Sequence, residues 1–277
     1  MSARSETLNR QSPFVVDAVT FGFGRKESAV QSPVLKHVSL AIASGEVLGI
    51  LGPNGSGKST LLKILMRILV PQQGRVELFG QPHDAVAQAE IARRVAFVPQ
   101  ETQQAFPFTI SEMVLMGRYP HHNRTWGPGW ESSEDRAVAM QAMSDLGVAH
   151  LGGRLITNVS GGERQRAVIA RALAQEPEVL LLDEPTAFLD LHHQLEIARI
   201  IRRLNQERGL TVVLVSHDLN LASQYCDRLL LLREGEIAAV GSPEEVIAGE
   251  SLERVYDCPV LVDRHPQSGM PRVTLPV

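Results

Sequence analysis

The sequence lacks several features that mark common functional classes. Only two of its 277 residues are cysteines, and Cys226 and Cys258 lie far apart without CxxC or Cys/His spacing, which argues against a structural disulfide or zinc site. No apolar run approaches the roughly 18 residues that a membrane-spanning helix needs. The first residues, MSARSETLNRQSP, contain no apolar core of a secretory signal. We therefore expect a cytoplasmic protein that does not cross a membrane.

An excess of basic charge is also missing. Lysine and arginine total 27 against 31 for aspartate and glutamate, which gives a formal net charge of -4. Proteins that bind nucleic acid usually carry a basic excess, because they neutralise phosphates. Nucleic acid is therefore not expected to be the principal partner. The hydrophobic content of 44% is enough for a substantial core.

The order of hydrophobic patterns predicts an α/β fold. Short strand-like runs from Phe14 to about Gly49 are typical of an antiparallel β region. Residues 105–158 carry few strand signals and several helix signals, among them a capping box at Thr109–Glu112, so we predict a helical insert there. From Val159 onward strands alternate with helices, as in a parallel sheet covered on both faces.

The same patterns give domain boundaries. Residues 1–13 are polar and predict a flexible tail, and residues 14–241 form the main domain, with a helical subdomain at about 105–175. A C-terminal extension, 242–277, is predicted to hold one short helix and an irregular tail. After the glycine-rich segment, apolar residues at helical spacing predict a helix over 59–70 that ends at Pro71.

A phosphate-binding loop is the sharpest local signal. It has the pattern GxxxxGK[ST], follows an apolar strand directly and precedes a helix directly. Its backbone N–H groups can surround phosphates, a lysine neutralises their charge, and the serine after that lysine can ligate Mg²⁺. An ordinary glycine-rich turn is the alternative. The candidate nucleotide-binding residues are Gly52, Pro53, Asn54, Gly55, Ser56, Gly57, Lys58, Ser59 and Thr60.

Two carboxylates follow a second buried strand, Val179–Leu182. Asp183 stands at the carboxyl end of the strand, where parallel sheets place their ligands, and we expect it to hold Mg²⁺. Glu184 comes one residue later and is the candidate general base for an attacking water molecule. An acid after a strand is by itself more often a loop or helix-cap residue, but the phosphate loop favours the catalytic interpretation.

A second anion-accepting helix start is formed by Ser160, Gly161, Gly162 and Glu163. The chain thus has one phosphate loop and two phosphate-binding helix ends. If the second end serves a nucleotide held by another copy of the chain, the working unit is a dimer. The alternative is a simple N-cap.

These motifs resemble those of the ABC ATPases, and the resemblance covers about Phe14 to Gly241. It implies a Q-loop at Gln100, which also contacts Mg²⁺, a D-loop at Ala187–Asp190 with Asp190 near the nucleotide, and a switch histidine at His217. It also implies an adenine-stacking aromatic, Phe23, with Phe21 as the alternative. The chain departs from the family signature at two positions, Val159 in place of leucine and Glu163 in place of glutamine.

Several segments resemble the ATPases of iron-siderophore, haem and cobalamin importers, namely GRYPHH, LDLHHQ and SHDLNLASQYCD. The resemblance implies ATP and Mg²⁺ as cofactors and a head-to-tail dimer of two copies that sandwich ATP. It further implies a separate transmembrane permease, a substrate-binding protein, and a location on the cytoplasmic face of the membrane. A soluble ABC ATPase with a non-transport partner is one alternative, and a nucleotide-binding module that does not turn over is another.

Two further expectations concern residues outside these motifs. The adjacent pairs His121-His122 and His192-His193 point about 100° apart on a helix and so suit no single metal site, and we expect surface or packing roles for them. The exposed loops of the insert are expected to dock the permease, with Glu112 and Arg118 as the charged residues to test.

Overall fold

The computed structural model describes residues 12–24, 33–100, 107–122 and 131–276. The strands in chain order are β1 Phe14–Phe21, β2 Leu35–Ile42, β3 Val47–Leu51, β4 Gln73–Leu78, β5 Gln81–Pro82, β6 Val95–Val98, β7 Val179–Asp183, β8 Thr211–Val215, β9 Arg228–Arg233, β10 Glu236–Gly241, β11 Leu261–Arg264 and β12 Pro271–Thr274. The α-helices are α1 Lys58–Leu65, α2 Gln88–Arg94, α3 Ile110–Leu115, α4 Ser133–Asp145, α5 Gly161–Leu173, α6 Leu191–Arg208, α7 Leu219–Tyr225, α8 Pro243–Val246 and α9 Gly249–Tyr256. Short 3-10 helices cover Met116–His121, Ala149–Leu151 and Ile156–Asn158.

The chain divides into two compact units, residues 1–86 with 211–277 and residues 87–210. The first unit holds an antiparallel sheet in the order β2-β1-β4-β5. It also holds strands in the order β10-β9-β3-β8, in which β3 is parallel to both β8 and β9. All five residues of β3 and of β8 are buried. Strands β1 and β2 confirm the predicted antiparallel region, and β3, β8 and β9 confirm the predicted parallel sheet. The assignment of Val47–Leu51 to the antiparallel region is wrong, because β3 pairs in parallel on both of its edges and is buried along its whole length.

The second unit holds the parallel pair β6 and β7 together with α2 to α6. The helices α3, α4 and α5 pack on one another, and Ile110, Met113 and Met143 are buried among them. The predicted capping box is present, since the Thr109 side chain accepts the Glu112 N–H while Glu112 accepts the Thr109 N–H. The structure therefore confirms the helical insert for the residues that it describes. Most of the loop expected over 121–130 lies outside the described residues.

Two local expectations near the N-terminal part of the chain differ from the structure. Helix α1 ends at Leu65 instead of Val70, because Arg67 adopts a left-handed backbone conformation with φ 54° and donates its side chain to the carbonyls of His83 and Val86. Ser12 and Pro13, placed in the tail by sequence, are buried, and the rest of that tail lies outside the described residues.

The C-terminal extension is more ordered than expected. It holds the two short helices α8 and α9 and the antiparallel pair β11 and β12 in place of one helix and an irregular tail. The pair is attached to α7, where the Asn220 amide donates to Val273 O and accepts from Val273 N. The hydroxyl of Ser223 donates to Pro271 O at 2.7 Å. No helix among the described residues is long and apolar enough to span a membrane.

Candidate nucleotide site

The turn between β3 and α1 requires glycine at two positions. Gly52 has a φ of 144°, and a Cβ there would lie 2.1 Å from the Leu232 carbonyl oxygen. Gly57 has a φ of 104°, and its Cβ would lie 2.5 Å from the Leu35 side chain. A larger residue at Gly52 would push against the backbone of β9, and at both positions the positive φ would strain any residue that has a Cβ. The loop has the curled backbone that anion binding needs.

Lys58 is the first residue of α1 and is buried. Its ammonium donates to the carbonyl oxygens of Gly52 at 2.8 Å and Pro53 at 2.9 Å. Nearby, Ser56 Oγ is buried without a hydrogen-bond partner among the described residues, although buried hydroxyls usually have one. A cation, an unsatisfied hydroxyl and the N-terminus of a helix thus meet in one loop, which is a suitable receptor for phosphate oxygens.

The structure distinguishes the two candidate aromatic residues by exposure. Phe21 is 7% exposed and belongs to the core, whereas Phe23 is 54% exposed and stands edge-on to Phe21 with 5.0 Å between ring centroids. Only a ring with an accessible face can stack on a base. The accessible ring of the two is therefore Phe23.

His217 follows β8 and is exposed. The preceding Ser216 N–H donates to Ile50 O at 3.2 Å, which continues the pairing of β8 with β3. Asp218 then caps α7 by accepting the N–H groups of Asn220 and Leu221, both at 2.9 Å. The backbone on either side of His217 is therefore hydrogen-bonded, to β3 before it and within α7 after it.

In the second unit, β7 ends at a pair of carboxylates. All five residues of the strand are buried, including Asp183. The next residue, Glu184, has a φ of 51°, a conformation that is uncommon outside glycine and asparagine. A hard carboxylate oxygen at a strand end is a ligand type that Mg²⁺ accepts.

Gln100 and Glu184 are brought together, although they are 84 positions apart in sequence. The Gln100 side-chain amide donates to Glu184 Oε2 at 2.7 Å. Gln100 stands two residues after β6 and immediately before the segment that leads to the helical insert. The candidate base is therefore hydrogen-bonded to a residue that lies between β6 and the insert in the chain.

The signature serine caps α5. The Ser160 hydroxyl accepts the Glu163 N–H at 3.2 Å, and Glu163 accepts the Ser160 N–H at 2.8 Å. The pKa of Glu163 is lowered chiefly by the hydrogen bond that the Ser160 N–H donates to its carboxylate. Glutamate satisfies the reciprocal bond as well as glutamine does, which explains physically how this chain departs from the family signature at position 163.

The signature helix and the residues after the D-loop are in close contact. A Cβ on Gly162 would lie 1.5 Å from His193 Cδ2, so no other residue fits there without displacing that ring. Asp190 caps α6 by accepting the His193 N–H at 3.0 Å, and this bond lowers the pKa of Asp190. Two apolar side chains are exposed here, Phe188 within the D-loop at 93% and Leu191 directly after it at 68%.

The two charged residues selected in the insert have structural roles. Arg118 is buried, and it forms an ion pair with the buried Asp135 at 3.0 Å and donates to Ala174 O at 2.8 Å. Glu112 completes the capping box of α3. The expectation that Arg118 lies on an exposed docking surface is therefore wrong, since its charge balances Asp135 inside the unit.

Comparisons with known proteins agree with this arrangement. The ABC transporter family model matches residues 35–187. The chain is 38% identical over 257 residues to the ferric enterobactin transport ATP-binding protein of Escherichia coli strain K12, covering 93% of this chain and 92% of the relative. It is 46% identical over 237 residues to the hemin import ATP-binding protein of Streptomyces coelicolor, covering 86% of this chain and 82% of the relative.

Solved structures give the same result for the fold. A transporter assigned to the metal-chelate ABC type, in an inward-facing conformation, aligns with a TM-score of 0.81 and 30% identity over 95% of this chain and 97% of that one. A dimeric bacterial ABC transporter cassette aligns with a TM-score of 0.70 and 29% identity over 83% of this chain and 98% of that one. The chain belongs to the ABC transporter family, among its ATP-binding subunits.

Proposed function

We propose that this chain is the ATP-hydrolysing subunit of an importer whose permease is a separate polypeptide, and that the solute is an iron siderophore, haem or cobalamin. The names of the ferric enterobactin and hemin relatives support this solute class. The observation that carries the proposal is the hydrogen bond between Gln100 and Glu184. It joins the candidate base to the segment that connects β6 with the helical insert, and a motor that couples hydrolysis to a partner requires such a connection.

Binding of ATP is assigned to the first unit. The loop from Gly52 to Thr60 presents backbone N–H groups and Lys58 to the phosphates, and Phe23 offers its exposed face to the adenine ring. Ser59, Asp183 and Gln100 supply hydroxyl, carboxylate and amide oxygens, which are the hard donors that Mg²⁺ prefers. Bound Mg²⁺ would neutralise charge on the phosphate oxygens.

Hydrolysis is assigned to Glu184 and His217. The Glu184 carboxylate takes a proton from water while the water oxygen bonds to the γ-phosphorus, and the bond from that phosphorus to the bridging oxygen breaks, giving ADP and phosphate. Gln100 orients the Glu184 carboxylate through its hydrogen bond. His217 donates a hydrogen bond to a γ-phosphate oxygen.

A second copy of the chain is proposed to complete each site in a head-to-tail dimer. Ser160 and Gly161 are exposed at the start of α5, so their side of the helix is accessible to a nucleotide from outside the chain. Glu163 and Asp190 fix the starts of α5 and α6 through their caps and so position Gly161, Gly162 and the D-loop. The exposed Phe188 and the dimeric cassette among the structural relatives support this arrangement.

The permease is proposed to dock on the helical insert at the cytoplasmic face of the membrane, with a substrate-binding protein delivering the solute on the other side. Met116 and Tyr119 are 37% and 51% exposed on the 3-10 helix that follows α3. They replace Arg118 as the residues to test, because large exposed apolar side chains are common at protein interfaces.

Co-purification of a membrane protein tests the function. We expect the tagged wild-type chain and Met140→Glu, which alters an exposed side chain on α4 of the same insert, to retain a membrane partner. Tyr119→Glu should lose that partner and solute uptake, while ATP binding by the isolated chain stays unchanged. If no membrane protein accompanies the wild-type chain, the soluble ABC ATPase becomes the better assignment. If Tyr119→Glu assembles and transports normally, the docking surface lies elsewhere.

A further inference from the structure

Three metal-ligating side chains meet on the first turns of α6. His192, His193 and Glu196 each offer a ligand atom, and these atoms all lie within 4.8 Å of one another. Two adjacent histidines point in different directions on a helix, but Glu196 is three residues after one and four residues after the other. It therefore lies on the helix face between them. Sequence inspection of the histidine pair alone missed this carboxylate.

The local environment leaves these groups available to an ion. His192 is exposed, and its ring centroid lies 5.4 Å from that of His193. Nδ1 of His193 is buried and makes no hydrogen bond to any described residue, although Asp190 Oδ1 stands 3.4 Å away. An unsatisfied buried imidazole nitrogen is uncommon and calls for an explanation such as a bound ion.

Arg166 supports the carboxylate from the signature helix. It forms an ion pair with Glu196 Oε2, and its side chain is largely buried. A carboxylate has two oxygens, so this pair leaves Oε1 for an ion while fixing the orientation of the group. Such outer partners are typical of protein metal sites, where they orient the ligands.

We propose that His192, His193 and Glu196 form a binding site for a divalent transition-metal ion such as Zn²⁺. Two neutral imidazoles and one carboxylate are ligands that Zn²⁺ accepts, and a site of three protein ligands leaves a position for water. Mg²⁺ is disfavoured because it prefers oxygen ligands alone. This site is distinct from the proposed Mg²⁺ site, since the two share no residue.

The location of the site gives a bound ion a mechanical effect. His193 packs directly against Gly162 of the signature helix, and Asp190 of the D-loop caps the same turn of α6. An ion held by His193 and Glu196 would lock this turn to α5 through the Gly162 contact and the Arg166 pair. Locking the D-loop relative to the signature would slow the ATPase cycle, an effect that rests on the function proposed above.

Zn²⁺ titration of the purified full-length chain without nucleotide tests the binding site. We expect one Zn²⁺ per chain in competition with a chelating indicator, and a loss of affinity of about tenfold or more in His192→Ala and in Glu196→Gln. The matched controls are His150→Ala, which removes another exposed histidine, and Cys258→Ser, which removes the exposed thiol. Both controls should bind Zn²⁺ as the wild type does.

Circular dichroism of each variant separates a lost ligand from a lost fold, and His192 is exposed, so its replacement leaves the core intact. Unchanged Zn²⁺ affinity in folded His192→Ala and Glu196→Gln would overturn the site. Zn²⁺ inhibition of the ATPase that is equal in wild type and His192→Ala would overturn the locking effect. Because binding is measured without ATP, its result does not depend on whether the chain hydrolyses ATP.

Discussion

Glu184 is the residue whose replacement tests the chemistry most directly. Glu184→Gln keeps the side-chain oxygen that accepts from Gln100 but removes the basic carboxylate. We expect ATP binding to stay near the wild-type value and the hydrolysis rate to fall about 10²–10⁴-fold, as is usual when a general base is lost. The measurement is a steady-state ATPase assay beside nucleotide binding. Glu207→Gln, an exposed position late in α6, is the control, and near-native turnover in Glu184→Gln would remove it from the mechanism.

A buried histidine makes stability depend on pH. Burial, assisted by the charge of Arg67 and opposed by Asp84, lowers the pKa of His83 from 6.5 to about 4. Between pH 6.5 and pH 4 the His83 imidazole is therefore protonated in the unfolded chain and neutral in the folded chain. Protonation of the unfolded state lowers the free energy of unfolding. This free energy is therefore unaffected by His83 above pH 6.5 and decreases as the pH falls from 6.5 toward 4.

The expected size of this effect between pH 7.5 and pH 5 is about 2 kcal/mol of unfolding free energy. Urea unfolding of His83→Gln should show a decline smaller by this amount than the wild type shows. His150→Gln, the same change at an exposed position, should decline as the wild type does. If wild type and His83→Gln lose stability in parallel, His83 is not the titrating group.

The positions of functional residues at the ends of helices and strands could be predicted from sequence, but the burial and the partners of a side chain could not. The positions of Lys58 and Asp183 follow from short local patterns, and the structure places them at the start of a helix and the end of a strand. The burial of Arg118 depends on Asp135 and Ala174, which are distant in the chain. A single charged residue in a helical segment gives no local signal that such partners exist.

At the scale of elements, caps decide where helices begin. The capping box of α5 joins Ser160 and Glu163. Glu163→Gln retains the reciprocal hydrogen bond, so we expect little change in stability, whereas Glu163→Ala should cost about 0.5–1 kcal/mol. Thermal unfolding measures the difference, with Glu207→Ala as the control for losing an exposed carboxylate from a helix. Equal losses in Glu163→Gln and Glu163→Ala would show that the capping bond contributes nothing.

Element types were predictable where apolar residues formed a continuous run, and element ends were less so. The runs Val179–Leu182 and Thr211–Val215 were predicted to be buried strands, and the structure confirms both. Helix α1 stops early because of the left-handed Arg67, and a side chain that reaches distant carbonyls is not visible in a local pattern. The pair β11 and β12 was missed because its strands are mostly exposed and so carry no continuous apolar run.

At the scale of the whole molecule, the proposed dimer predicts complementation. A chain with Lys58→Ala keeps an intact signature, and a chain with Ser160→Arg keeps an intact phosphate loop. If each site is made by both copies, a mixed dimer has one site damaged twice and one site intact. We expect ATPase activity in the mixture to exceed that of either variant alone.

The control for complementation is a mixture of Lys58→Ala with Ser59→Ala. Both changes affect the phosphate loop, so every mixed dimer has a lesion in each site, and no recovery is expected. Recovery in both mixtures, or in neither, would contradict sites shared between copies.

The attachment of β12 to α7 has a consequence for local opening. Helix α7 has seven residues, and helices shorter than about 12 residues are marginal by themselves in water. Its hydrogen bonds from Asn220 and Ser223 to the C-terminal strand therefore supply order that its own length does not. Amide protons of α7 and β12 should exchange with deuterium at a common rate, as one cooperative unit. His217 stands two residues before α7. We therefore expect the His217 imidazole to keep its position only while α7 and β12 remain hydrogen-bonded to each other.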